Sequence, residues 1–152
     1  RPIDLPKIVF HNQTKGKIPQ RSSKRLKSFI ENIFSEEGKS LEAIDYIFCS
    51  DEYLLKLNRE FLSHDYYTDI LTFCLSEKDS PVQAEIYISI DRVSENAALF
   101  QNSPANELLR VIFHGALHLC GYHDKTKIQK RVMREKENKC LEKYSAGVSR
   151  ET

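Results

Sequence analysis

His114-Gly115-Ala116-Leu117-His118-Leu119-Cys120-Gly121-Tyr122-His123-Asp124 is the stretch from which the rest of the chain is read. On a helix, His114 and His118 stand one turn apart on one face. That is the spacing by which two imidazoles grip a single metal ion. At about 100° per residue, Leu108, Leu109, Ile112, Phe113, Ala116, Leu119 and Cys120 share one wide apolar arc. The histidines fall opposite it, with Glu107 and Arg110, so they face solvent, a cleft or another element. Gly121 follows three residues after His118, where a glycine can end the helix in a left-handed conformation and turn the chain back. A ligand at position 124 then returns to the same ion. That residue is Asp124, and a carboxylate is an acceptable zinc ligand beside two imidazoles. His123, its neighbour, competes for the third place; its alternative is an exposed turn residue. Cys120 is the other nearby ligand type.

Working outward, Ser103, Pro104 and Glu107 give the metal helix a capping residue, a proline at its first position and an acid in its first turn. Lys7–His11 reads as a strand, followed by a helix from about Arg21 to Phe34 with Leu26, Phe29, Ile30 and Ile33 at helical spacing, stopped by Gly38. Leu41–Cys49 is a second strand, and Ser50 or Asp51 caps a helix carrying Tyr53, Leu54, Leu57 and Phe61. Asp69–Leu75 and Ala84–Ile90 read as two strands joined by the polar Glu77–Pro81 turn. The second alternates between Ile86, Ile88 and Ile90 and Glu85, Tyr87 and Ser89. Asp91 caps a helix to about Phe100. A last, highly charged helix spans about Ile128 to Tyr144, anchored by Val132, Met133 and Leu141, with fraying expected after about residue 145. This order predicts one α+β domain over residues 1–152, a small mixed sheet of about four strands covered by about five helices.

With 152 residues, 40% of them hydrophobic and 30% charged, the chain is long enough to fold around its own core and is neither disordered nor membrane-spanning in composition. No apolar run approaches the roughly 20 residues of a membrane span or the roughly 7–15 of a secretion-signal core. Cys49, Cys74, Cys120 and Cys140 form no CxxC pair, and Cys49 and Cys74 sit in strand-like runs, which reads as buried free thiols in a reducing compartment. The net charge of +1 argues against a dedicated nucleic-acid binder. Its distribution removes that objection. Residues 1–30 carry a net +7, residues 31–124 a net −11 and residues 125–152 a net +5. Such blocks are either solvated helix faces or a polyanion-binding surface made where the basic ends meet. The second reading requires the helices starting near Arg21 and Ile128 to border the cleft of His114.

The spacing His-x3-His-x2-Gly-x2-ligand is that of metzincin metalloproteases. Those enzymes carry a glutamate base directly after the first histidine. Gly115 stands there instead, so a metal site is expected without the base for peptide hydrolysis.

The motif resembles the YbeY endoribonucleases (rRNA maturation factors), whose signature is H-G-x-L-H-L-x-G-Y-D-H. His114, Gly115, Leu117, His118, Leu119, Gly121 and Tyr122 match it. An upstream segment also matches, with Leu57, Asn58, Phe61, Asp65, Thr68, Asp69, Ile70, Leu71 and Phe73 in the family's L-N-x-x-(aromatic)-R-x-x-D-x-P-T-(D/N)-V-L-S-F. Ala84-Glu85-Ile86 stands where the family has Gly-Asp-Ile. The resemblance covers roughly residues 5–145. It departs at three places: His123-Asp124 inverts the family's Asp-His, Leu62 holds the place of its arginine, with Arg59 one turn away, and Tyr67 that of its proline.

By position, the resemblance implies a zincin-like helix with one zinc ion on His114, His118 and Asp124. It implies a cytoplasmic, single-strand-specific endoribonuclease serving 16S rRNA 3′-end maturation and ribosome quality control. The expected partners are single-stranded rRNA and the ribosome or its small subunit, with no membrane and no DNA. Zinc-activated water attacking a phosphodiester is the implied chemistry, with the general base unassigned. Basic residues near Arg21–Lys27 or Lys125–Arg134 would hold phosphates, and Tyr66, Tyr67 or Tyr122 would stack bases. The competing reading is an RNA- or ribosome-binding factor whose zinc is structural, its fourth ligand supplied by His123 or Cys120.

Overall fold

The structure is a computed structural model describing residues 5–19 and 23–151, with side chains to residue 147. Its elements are β1 (Lys7–Asn12), α1 (Lys24–Glu36), β2 (Leu41–Cys49), α2 (Asp51–Leu62), β3 (Ile70–Cys74), β4 (Val82–Ser89), α3 (Ile90–Leu99), α4 (Pro104–Leu119) and α5 (Lys127–Glu151). Arg21 lies outside the described residues. The fraying expected after about residue 145 falls largely on side chains outside them too, while the α5 backbone runs to Glu151.

The four strands form one mixed sheet in the order β1-β2-β4-β3, α+β as the sequence predicts. β1 and β2, and β2 and β4, pair in parallel. β3 returns antiparallel to β4 across the polar turn, with Thr72 opposite Ile86. Alternation in β4 sends Val82, Ala84, Ile86 and Ile88 to one face, where they meet Ile44, Tyr46 and Phe48 of β2. α1 and α4 cover this face, and α5 packs on α4. Phe29 of α1, Phe113 of α4 and Tyr144 of α5 join as an aromatic cluster with centroids 5.1–5.9 Å apart. α2 covers the other face, packing Leu54 and Leu57 on Cys49, Leu71, Phe73 and Tyr87.

Helix starts follow the caps: the side chains of Ser23, Ser50, Ser89 and Ser103 each accept a backbone N–H of the first turn. Ser89 takes the role expected of Asp91, so Ile90 opens α3 rather than closing β4. Cys74 is exposed, contrary to expectation, because it ends the edge strand β3; Cys49, in the interior strand β2, is buried and burial pushes its thiol up to about 12. Val132 is 38% exposed, and the buried anchors of α5 are Met133, Cys140, Leu141 and Tyr144.

α4 is buried almost all round. Leu108, Ile112, Phe113 and Ala116 are fully covered, and Val111, Gly115 and Leu117 nearly so. Gly115 lies so close to the sheet that a Cβ there would stand 3.0 Å from Ile86 Cδ1 and 3.1 Å from Ile70 Cδ1. The position where a metzincin carries its base is thus pressed against β3 and β4.

Candidate metal centre and nucleic-acid cleft

A cleft of about 600 Å³ opens where α4, α5, the α2–β3 connection and the end of α3 converge. His114, His118 and Asp124 all line it. His114 comes from the middle of α4 and His118 from its last turn. Gly121, at φ 109°, turns the chain back after Cys120, which brings Asp124 beside the first histidine. Asp124 Oδ2 lies 3.5 Å from His114 Nε2. His123 is exposed and does not line the cleft; its ring meets the His118 ring edge-on at 6.0 Å. Cys120 is on the opposite side of α4, buried in the core, where burial pushes its thiol up to about 12.

Both histidines are oriented from behind. His114 Nδ1 donates to Glu137 Oε2 at 2.7 Å. His118 Nδ1 donates to the Tyr122 carbonyl at 3.2 Å. Each ring therefore keeps its Nε2 free, the arrangement found behind metal-ligating histidines. Burial pushes His114 down, but the Glu137 hydrogen bond and the carboxylates of Glu137, Asp124 and Asp69 outweigh it and leave the pKa raised. Burial dominates at His118, whose pKa is lowered, so its ring is readily neutral. Two imidazole nitrogens and a carboxylate make a donor set suited to zinc. Among the described residues no three such side chains are already drawn together to grip an ion. Asp124 sits on an exposed turn, with its Oδ2 3.5 Å from His114 Nε2.

Sequence reasoning missed the carboxylates behind and beside the histidines. Glu137 is 6% exposed and accepts from both His114 and Arg110 Nη1, the latter at 3.0 Å. A signal for it exists: Met133, Cys140, Leu141 and Tyr144 form a helical stripe whose missing member is position 137. Asp69, just before β3, also lines the cleft, and burial raises its carboxyl against the pull of His114. Asn58 lines it as well, fully buried.

The charge pattern divides. α5 borders the cleft with Lys130 and Arg134, and α4 adds Arg110. α1 does not line it, because α1 packs on the far flank of α4. There Glu36 and Glu37 pair with Lys143 and Lys136 of α5, so part of the basic charge of α5 is spent on α1. Arg59 pairs with Asp65 at the surface and does not line the cleft, whereas Leu62 does. Tyr66 lines the cleft; Tyr67 lies under Arg92, and Tyr122 donates to Glu37 outside it.

The model of the family Endoribonuclease YbeY matches residues 9–145. Among curated relatives, Endoribonuclease YbeY of Cytophaga hutchinsonii is 47% identical over 134 residues, covering 88% of this chain and 92% of the relative. Its namesake from Bacteroides thetaiotaomicron is 45% identical over 130 residues, covering 85% and 94%. Among solved structures, a solution structure of a Thermotoga maritima protein superposes with a TM-score of 0.65 at 32% identity, covering 95% of this chain and 93% of that one.

Proposed function

The chain belongs to the Endoribonuclease YbeY family and with it to the hydrolases that cut RNA internally; we propose that it cleaves single-stranded RNA at a zinc centre held by His114, His118 and Asp124. The reading extends to 16S rRNA 3′-end maturation and ribosome quality control in the cytoplasm, on the small ribosomal subunit. The described residues contain no helix long and apolar enough to cross a membrane.

The observation that carries the metal reading is the pair of fixed imidazoles, each with Nδ1 engaged and Nε2 left to the cleft that Asp124 enters. When bound, zinc would supply Lewis-acid activation of a water and charge neutralisation at the phosphodiester. The protein's own groups do the rest. Glu137 holds His114 in the tautomer that leaves Nε2 as an electron-pair donor. Lys130, Arg134 and Arg110 line the route by which a phosphate backbone enters. Asp69, whose carboxyl burial shifts toward the neutral form, lines the cleft and is placed to hold a proton there.

The test compares zinc content and RNA cleavage of the wild type with His114→Ala, Asp124→Ala and His123→Ala. The first two should lose both zinc and cleavage, and the third should keep both. Equal cleavage by all four proteins would end the metal-hydrolysis reading. Zinc lost from His123→Ala but kept in Asp124→Ala would move the third ligand.

A further inference from the structure

Part of the cleft serves neither a metal nor a phosphate. Leu62, His64, Tyr66 and Phe100 line it too, on the α2–β3 connection and at the end of α3. Tyr66 is 55% exposed and Phe100 64%. Aromatic area left open inside a polar cleft gains free energy when something apolar covers it.

This surface is also held in shape. The His64 and Tyr66 rings stack with centroids 5.1 Å apart and planes 21° from parallel. The Tyr66 hydroxyl lies 2.9 Å from His64 Nδ1, which fixes the ring at its far end. The Tyr66 carbonyl accepts from Asn58 Nδ2 at 3.0 Å, which fixes its backbone. A flat π surface whose rotamer is set beforehand loses little entropy on binding.

Asn58 adds a chemical preference. Its Oδ1 is buried and has no hydrogen-bond partner among the described residues. An unpaired acceptor is satisfied only by a donor. A phosphodiester has no donor at neutral pH, whereas a nucleobase N–H or a ribose hydroxyl is one.

We propose that Tyr66, stacked on His64 and joined by Phe100, forms a subsite that stacks one unpaired base of the RNA strand whose phosphates run along Lys130 and Arg134. The occupant is a base rather than a protein side chain because this surface is continuous with the basic wall of the same cleft. A base in that position stands next to the backbone those cations hold. The proposal rests on the RNA-cleaving reading above and names what that site recognises.

The experiment pairs substrate and protein changes. Single-stranded RNAs carrying one abasic residue at successive positions around the cleavage site are cut by wild type, by Tyr66→Phe and by the double variant Tyr66→Ala/Phe100→Ala. Stacking on an aromatic side chain predicts that one abasic position lowers wild-type kcat/KM by about 5- to 150-fold. Tyr66→Phe should keep that penalty, and the double variant should lose it while cutting intact RNA correspondingly more slowly. Both side chains are exposed, so the melting temperature serves as the control for folding.

A second readout does not need cleavage. A short single strand with one 2-aminopurine should be quenched on binding His114→Ala, and not on binding the same protein lacking the Tyr66 and Phe100 rings. No abasic penalty in the wild type, the same penalty in the double variant, or quenching independent of the two rings overturns the subsite. If the wild type fails to cut RNA while the ring-dependent quench persists, the cleavage reading fails and the subsite stands.

Discussion

Glu137→Gln is the substitution that most directly tests how the site is held. It keeps the shape of the side chain and removes its charge. Glu137 now accepts from two donors, His114 Nδ1 at 2.7 Å and Arg110 Nη1 at 3.0 Å. All three side chains are at most 20% exposed, so water replaces little of what is lost. A glutamine amide has one oxygen for these two donors. The permanently charged guanidinium binds that oxygen more strongly than a neutral imidazole does. The amide NH2 then faces His114, which must accept through Nδ1 and carry its proton on Nε2. The nitrogen proposed to bind zinc is thereby blocked. One charge-assisted hydrogen bond is lost, about 1.5–3 kcal/mol. For a chain of this size that lowers Tm by roughly 3–12 °C. Zinc affinity should fall by about 10- to 100-fold, the usual effect of removing the group behind a metal-bound histidine. Competition with a chromogenic chelator measures the affinity, and nitrogen chemical shifts of the imidazole report the tautomer. A Glu137→Gln protein that melts with the wild type, binds zinc as tightly and keeps its proton on Nδ1 would refute the reasoning.

The raised pKa of His114 also predicts a pH dependence in zinc-free protein: its contribution is complete below the ordinary histidine value of about 6.5 and is lost as pH rises through the raised folded value. The difference in Tm between wild type and Glu137→Gln, followed by calorimetry in chelator, should therefore shrink from pH 6 to pH 8.5; a constant difference would contradict it. Gly115→Glu, which restores the metzincin pattern on paper, drives a charged chain into Ile86 and Ile70 and should destabilise by about 3 kcal/mol or more. Chemical denaturation reads the loss, and a folded variant of native stability would show that α4 can back away from the sheet. Replacing Lys130 and Arg134 by Ala should reduce the slope of log K for RNA against log salt by about 0.7 per charge removed. The same change at Lys24 and Lys27 of α1 should leave the slope alone; equal effects would mean the cleft does not orient the strand.

Much of this site was legible because local chemistry and global fold agree over α4. Ser103, Pro104 and Gly121 mark its ends, and the histidine pair faces the cleft as the helical wheel requires. The wheel left one choice open. It turned the polar face toward solvent, a cleft or another element, and in the structure α5 and the cleft claim that face, burying Glu107 and Glu137. α5 resisted reading because nearly every position is polar, so nothing local distinguishes Glu137 from Glu135 or Glu142. Only the stripe running through Met133, Cys140, Leu141 and Tyr144 does so, and the stripe is apparent once the burial of its members is known. The charge blocks misled about α1 for a related reason: a net charge along the sequence does not say which flank of α4 a helix covers.

The burial of α4 on nearly every side has a consequence for hydrogen exchange. The amides of its middle, from about Leu108 to Leu117, lie under the sheet, α1 and α5, so they should exchange more slowly than those of its ends. His114 thus rides on the buried middle of that helix and His118 on its exposed last turn, while the third proposed ligand stands on a turn whose residues from His123 to Lys127 are all exposed. The site joins side chains held from behind on a helix to one carried on an open turn. Metal capture and release should be timed by that turn alone, leaving the histidines in place through every cycle.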